Sequence, residues 1–342
     1  MVRAEVPPTK ADVTFASGGA QLSGTLALPP REGPHPVVVL LHGASWGLRS
    51  FYTAFVEVFV ESGVGCFAFD RRGEGDSTGS SEQDIFAFAE DAVAAWEAVR
   101  DIRGVDPARI GLWGYSNGAW VATLAAARLP ECAFLLLTGA SGVSPAESEA
   151  FRRTEDLRLQ GIAPPTLEAV ERTWTIVFDY LGHGVWDDAW DDELPALARR
   201  LKADSRLYEL PVPEMVKANP ALDSVPRFES PLFHDIKGRL RGINPGMAFD
   251  PIPSLRAVKC PVFVLLAEHD RNLPTPESAR RFGEVARERG DGSVRIEVMP
   301  GVGHQFGISP EVPNAPPARG DFAPGYLEMM AAWLAVNARV KA

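Results

Sequence analysis

Short apolar runs recur along the chain, most of them followed by a stretch with helical spacing. Pro36–Leu41 (PVVVLL), Val64–Phe69 (VGCFAF), Ile110–Trp113 (IGLW), Ala133–Leu137 (AFLLL) and Val262–Leu266 (VFVLL) are continuous rather than alternating. That is the pattern of strands buried on both faces. Val294–Val298 (VRIEV) alternates and reads as an edge strand, and Val13–Ala16 with Gln21–Leu28 reads as a leading hairpin about Gly18-Gly19. Helices are predicted over Phe51–Ser62, Gln83–Arg100, Asn117–Arg128, Glu277–Arg289 and Tyr326–Val340. In the second of these, Ile85, Phe88, Ala92, Trp96 and Val99 fall on one face, and Ser80 or Ser81 supplies the cap. Strand–helix alternation of this kind predicts an α/β fold, a mostly parallel sheet with helices on both faces.

The alternation stops between Ser144 and Asp250. That stretch is rich in Trp, Pro and charge, shows helical patterning and holds no convincing buried strand. It reads as a helical cap, residues 144–250, inserted into a core of residues 1–143 and 251–342. Pro310–Pro317 reads as a surface loop. The chain has 342 residues, 46% of them hydrophobic, enough for a large core. Its net charge of −11 argues against nucleic acid, which needs a basic face, and against docking on an anionic membrane. No run reaches the length of a membrane helix, and the first residues lack a signal-peptide apolar segment, so a cytoplasmic location is expected. Cys66, Cys132 and Cys260 each border or sit in apolar runs and read as buried thiols. Oligomeric state is not readable from the sequence.

The strongest chemical signal is Gly114-Tyr115-Ser116-Asn117-Gly118, between the strand RIGLW and the helix NGAWVATLAAARL. A G-x-S-x-G segment in that setting is a nucleophile elbow, in which glycines allow a cramped strand-to-helix turn that exposes the serine. A serine hydroxyl needs a base, and the base an orienting acid. Asp270 follows the strand VFVLLAEH, and His304 follows VRIEV within PGVGHQF. Both sit at strand C-terminal ends, the edge where the elbow lies and where ligands bind in open α/β sheets. Glu268 is the nearest rival acid. His269, His183, His234 and His35 are poorer bases by position, and His42 reads as a residue that orders its loop.

Acyl transfer also needs donors to the developing oxyanion. The backbone N–H groups of Asn117 and of Ala44, in the loop HGASWG after the first buried strand, are the candidates, with Ser45 as substitute for Ala44. Trp46 either walls a pocket or packs beneath the cap. Tyr115, Trp174, Phe178 and Trp186 complete the candidate substrate pocket, with ordinary cap core as the other reading of the cap aromatics. The charged turn Phe69–Ser77 (FDRRGEGDS) reads as a Gly-rich loop whose charges satisfy one another, not a nucleotide site. The acidic run Asp187–Glu193 reads as a solvated helix face, not a calcium loop. No metal and no cofactor is expected.

The segments HGASWG, FDRRGEGDSTG, DPARIGLWGYSNGAW, VFVLLAEHDRNLPTPES and MPGVGHQF, in that order, resemble the α/β-hydrolase superfamily. More narrowly the chain is similar to bacterial hydrolases related to the prolyl-oligopeptidase-like and acyl-esterase branches. The resemblance implies the α/β-hydrolase fold with an eight-stranded sheet, Ser116 as nucleophile, Asp270 as acid and His304 as base. The expected partner is a small-molecule acyl substrate, first a carboxylic ester. A thioester, lactone, amide or short peptide would use the same triad, and a non-catalytic ligand-binding protein on this fold is the remaining alternative.

Overall fold

A computed structural model describes residues 9–45, 47–81, 84–184, 187–202, 244–308 and 316–338. Two compact units are distinct: residues 1–142, 251–270 and 275–342 form one, and residues 143–250 with 271–274 the other.

The larger unit is an eight-stranded sheet. Its strands are β1 Thr9–Ser17, β2 Ala20–Leu28, β3 His35–Leu41, β4 Gly65–Phe69, β5 Val105–Tyr115, β6 Leu135–Thr138, β7 Val262–Ala267 and β8 Val294–Met299. Their spatial order is β1-β2-β4-β3-β5-β6-β7-β8. The leading hairpin pairs antiparallel, and β3 through β8 are parallel. This is the α/β-hydrolase fold. The continuous apolar runs are the central strands; every residue of β3, β4, β6 and β7 is buried. β8, the alternating run, is at the sheet edge.

Helices α1 (Thr53–Glu61), α2 (Ile85–Arg100), α3 (Asn117–Arg128), α7 (Pro251–Ala257), α8 (Thr275–Arg289) and α9 (Tyr326–Asn337) flank the sheet. Helices α1 and α9 cover one face. Between them and the sheet, Tyr52, Phe55, Trp113, Phe263, Phe306 and Tyr326 belong to one buried hydrophobic cluster. Trp113 is wholly buried and spends its one donor on Thr138 Oγ1 at 2.9 Å. That bond ties β5 to β6 just below the functional edge. On the other face, Trp96 of α2 donates to the Ile110 carbonyl of β5 at 3.1 Å.

Some local expectations differ from the structure. Helix α2 starts at Ile85, and its cap is Asp84, not Ser80 or Ser81. The Asp84 carboxylate accepts from the N–H groups of Phe86 (2.9 Å) and Ala87 (3.4 Å). A carboxylate adjacent to the first turn outcompetes serines three and four residues upstream, because its oxygen reaches the second and third helical N–H groups. Helix α1 starts two residues later than expected, after a 3₁₀ turn over Arg49–Tyr52. Strand β5 extends well beyond its apolar centre, through the polar Asp106–Arg109 segment.

The smaller unit contains α4 (Pro145–Leu159), α5 (Pro164–His183) and α6 (Ala189–Lys202). Helix α4 opens with a capping box. Ser144 Oγ accepts from Glu147 N–H at 3.2 Å, and the Glu147 carboxylate accepts from Ser144 N–H at 2.9 Å. Helix α5 closes on Gly184 at φ 68°, the left-handed cap that glycine adopts without strain. The unit buries its own core, including Val170, Trp174, Val177, Phe178, Leu197 and Leu201. Among the described residues, no helix is long and apolar enough to cross a membrane.

Candidate active site

The end of β5 and the start of α3 meet at Ser116, whose backbone lies at φ 55°, ψ −119°. A non-glycine residue there costs on the order of 1–3 kcal/mol and persists only where its surroundings impose it. The surroundings are visible. Ser116 N–H donates to the Thr138 carbonyl at 3.0 Å, and its own carbonyl accepts from Ala119 N–H at 2.8 Å. Gly114 faces the backbone of Gly118, and Gly118 faces the carbonyls of Leu41 and His42, each too closely for a Cβ. The two glycines therefore press the helix start against the ends of β3 and β5, and the serine side chain is turned outward.

The other two predicted residues converge on it. His304 Nε2 is 2.9 Å from Ser116 Oγ, and His304 Nδ1 is 2.7 Å from Asp270 Oδ2. With the ring proton on Nδ1, the imidazole donates to the carboxylate and accepts from the hydroxyl. The side chains of His304 and Asp270 are 9% and 1% exposed. Glu268, the rival acid, instead accepts from Gly301 N–H at 2.8 Å and so braces the loop that carries His304. The His269 side chain is 68% exposed and lies 3.7 Å from the Glu268 carboxylate.

The loop of residues 300–307 is held from several sides. Phe306 N–H donates to the Gly303 carbonyl at 2.9 Å, and His269 N–H to that of Val302 at 2.9 Å. Phe306 itself takes φ 52°, is fully buried and stacks on Tyr326 with ring centroids 4.4 Å apart. Tyr115, a candidate pocket residue, is 4% exposed and lies beside the imidazole, ring centroids 5.6 Å apart. Its hydroxyl donates to Gln305 Oε1 at 2.8 Å and lies 3.3 Å from the His304 carbonyl. Sequence reasoning missed Gln305. Its one signal is adjacency to His304, which does not show which way an amide points.

The 42–45 loop is fixed by groups that the sequence reading treated as mutual charge satisfaction. Arg71 Nη1 donates to the carbonyls of Gly43 and Ala44, both at 3.1 Å, while its other nitrogens bind the Glu74 carboxylate. Gly43 N–H donates to the Tyr52 hydroxyl at 3.2 Å. Ala44 thus belongs to a clamped loop, and Asn117 opens α3, whose first N–H groups carry the helix's partial positive charge. The close approach of Gly118 to Leu41 and His42 brings these two segments together.

His42 lies 2.5 Å from the Phe69 carbonyl through Nε2 and is buried against the rings of Phe69 and Tyr52. Burial pushes its pKa down to about 3, with the nearby Arg71 charge acting in the same direction. The neutral ring therefore orders the loop. Because the unfolded chain binds this proton near pH 6.5 and the folded chain only near pH 3, stability contributed by neutral His42 falls as pH drops through that window. The slope is about 1.4 kcal/mol per pH unit from this group. Urea unfolding of wild type and His42→Gln at pH 7 and pH 5 is expected to show a smaller acid loss in the variant. Equal losses would refute the assignment.

Trp174 and Phe178, the other described pocket candidates, are 3% and 1% exposed within the core of the helical unit. They stack on each other at 5.3 Å, and the Arg153 guanidinium lies 4.3 Å above the Trp174 ring. Trp46 and Trp186 lie outside the described residues. The acidic run after Trp186 is partly paired: Glu193 binds Arg172 at 2.6 and 2.8 Å, and Asp187 accepts from Ala189 N–H at 2.9 Å. Among the described residues, no group of His, Cys, Asp or Glu is arranged to hold a metal ion.

The Alpha/beta hydrolase family matches residues 38–315. The chain is 35% identical over 167 residues to the quorum-quenching protein AidA of Acinetobacter baumannii, covering 46% of this chain and 53% of that protein. It is 33% identical over 121 residues to the thiohydrolase AneE of Aspergillus aculeatus, covering 34% and 37%. The chain thus matches about half the length of the first relative and less of the second. Among solved structures, proline iminopeptidase of Mycobacterium smegmatis superposes with a TM-score of 0.57 at 20% identity, covering 96% of this chain and 99% of that one, a likeness of fold. With its sheet order, its strained serine between β5 and α3 and a family match across most of its length, this chain belongs to the α/β hydrolase family.

Proposed function

We propose that this hydrolase cleaves carboxylic esters of a small-molecule substrate through Ser116, His304 and Asp270, by way of an acyl-enzyme. One observation carries the reading: hydroxyl, imidazole and carboxylate form an unbroken chain of contacts at 2.9 and 2.7 Å. His304 takes the Ser116 proton as Oγ attacks the carbonyl carbon, and the buried Asp270 carboxylate orients and stabilises the resulting imidazolium. The N–H groups of Asn117 and Ala44 are assigned to the oxyanion. His304 then gives its proton to the leaving alcohol. Water, deprotonated by the same ring, attacks the acyl carbon and restores Ser116. We propose that the helical unit, which the chain inserts between β6 and β7, is a cap insertion.

The test is labelling by a fluorophosphonate probe together with turnover of a p-nitrophenyl ester series of increasing acyl length. Labelling and turnover with a length optimum are expected; neither labelling nor turnover of any ester would leave a non-catalytic binding protein as the better reading. The likeness to a thiohydrolase favours thioesters as the second substrate class, and a matched ester and thioester pair separates the two. Tyr115 is proposed as a positioning residue behind His304. Tyr115→Phe keeps the ring but removes a bond worth about 1 kcal/mol, so kcat is expected to fall about 5-fold with KM unchanged and a displaced acid limb in the pH profile. An unchanged kcat and pH profile would show that the loop needs no such brace.

A further inference from the structure

We propose that β8 is a docking strand for a second copy of this chain, paired antiparallel about a two-fold axis through Ile296. Among the described residues the strand is at the sheet edge and joined only to β7. Its direction of bonding can be read from the ladder. Val262 N–H donates to the Ser293 carbonyl at 2.8 Å, and Glu268 N–H to that of Met299 at 3.0 Å. Backbone groups alternate sides along a strand, so the odd-numbered residues from 293 to 299 face β7. The N–H and C=O groups of Val294, Ile296 and Val298 therefore face outward. Among the described residues, none bonds to them. Val298 is 42% exposed, one of few large apolar side chains left so open among the described residues.

An outward row of unpaired donors and acceptors accepts another strand, and native edges are usually protected against that by unmatched charge. Here the charge matches itself. The order Val294-Arg295-Ile296-Glu297-Val298 is symmetric about Ile296 in shape and antisymmetric in charge. An antiparallel copy centred on Ile296 sets each Arg295 opposite the partner's Glu297. It also sets each Val294 opposite the partner's Val298. The backbone agrees with this register: Val294, Ile296 and Val298 would all form hydrogen-bonded pairs. Arg295 and Glu297 would fall at the closer, non-hydrogen-bonded positions, where side chains interact most. Both charges lie on one face of the strand. They already touch, Arg295 Nε to Glu297 Oε1 at 3.0 Å, with the Arg295 guanidinium held 5.2 Å from the Phe263 ring. The two-fold turns that single pair into a ring of alternating charges. Such an isologous contact closes on itself and yields a dimer rather than a fibre.

Sedimentation velocity on the full chain, from about 1 to 200 µM, tests this. Wild type is expected to pass from monomer to dimer as concentration rises. Arg295→Glu leaves only acids on the edge and is expected to raise the dimer dissociation constant at least about tenfold. The double substitution Arg295→Glu with Glu297→Arg restores the opposition of signs and should restore the dimer. Ile296→Pro removes an outward N–H without touching the β7 ladder and should give monomer with unchanged circular dichroism and probe labelling. A wild type that is monomeric at the highest concentration would overturn the proposal. So would a dimer indifferent to Arg295→Glu, or one not restored by the double exchange.

Discussion

Ser116→Ala is expected to lower kcat for the best p-nitrophenyl ester by about 10⁴–10⁶-fold, and Asp270→Asn by about 10⁴-fold. The first substitution removes the atom that forms the acyl-enzyme. The second keeps the shape of the acid but removes its charge, and the amide can offer an N–H where His304 Nδ1–H needs an acceptor. The ring is then free to present its N–H toward Ser116, the wrong tautomer for a base. Because the three groups act as one unit, the double variant should be scarcely slower than Ser116→Ala alone. Fluorophosphonate labelling should vanish in Ser116→Ala and slow strongly in Asp270→Asn. Near-ultraviolet circular dichroism should be unchanged in both, since neither substitution alters side-chain volume in the core. Labelling of Ser116→Ala at the wild-type rate would mean that another nucleophile reacts. Multiplicative losses in the double variant would mean that serine and aspartate serve different steps. Either result removes the triad.

How far the sequence carried the structure depended on the range of the physics involved. The elbow was legible because its causes are local: a buried run, two glycines two residues from the serine, and a helix-forming segment after it. Asp270 and His304 were legible through topology, since each follows a strand of the parallel sheet and such loops share one edge. The cap of α2 was misread because two serines and an aspartate competed within a few residues, and only geometry shows which oxygen reaches the helical N–H groups. Arg71 and Gln305 were invisible for a related reason. Arg71 was assigned to its neighbouring charges, yet part of its guanidinium serves the carbonyls of Gly43 and Ala44, whose place beside it is set by pairing of β3 with β4. The cap aromatics show a different limit. A Trp and a Phe four residues apart on a helix have the same spacing whether they line a pocket or fill a core, and Trp174 with Phe178 are buried in a core.

Gly114→Ala is expected to destabilise the protein by about 3–5 kcal/mol, at the top of the range for single substitutions. A Cβ at this position would overlap the Gly118 carbonyl oxygen and come within 2.8 Å of Ala119 Cα. These are backbone atoms of the first turn of α3, so no side-chain rotation relieves the clash. Relief requires α3 to lift from β5, which loosens the bond from Ala119 N–H to the Ser116 carbonyl and the pairing of Leu41 with Gly114. Gly118→Ala meets the carbonyls of Leu41 and His42 and should behave alike. Gly283 supplies the control. It lies within α8 with nothing near the position of an added Cβ, so Gly283→Ala should stabilise by about 0.5–1 kcal/mol, the helix preference of alanine over glycine. The same chemical change thus takes opposite signs at two sites in one protein. Since native domains hold only about 5–15 kcal/mol in total, Gly114→Ala should lower the melting temperature by several degrees or more and reduce soluble yield. Thermal unfolding of the three variants measures this. A Gly114→Ala protein as stable as wild type would show that the elbow tolerates a side chain there and that the strained Ser116 conformation has another cause.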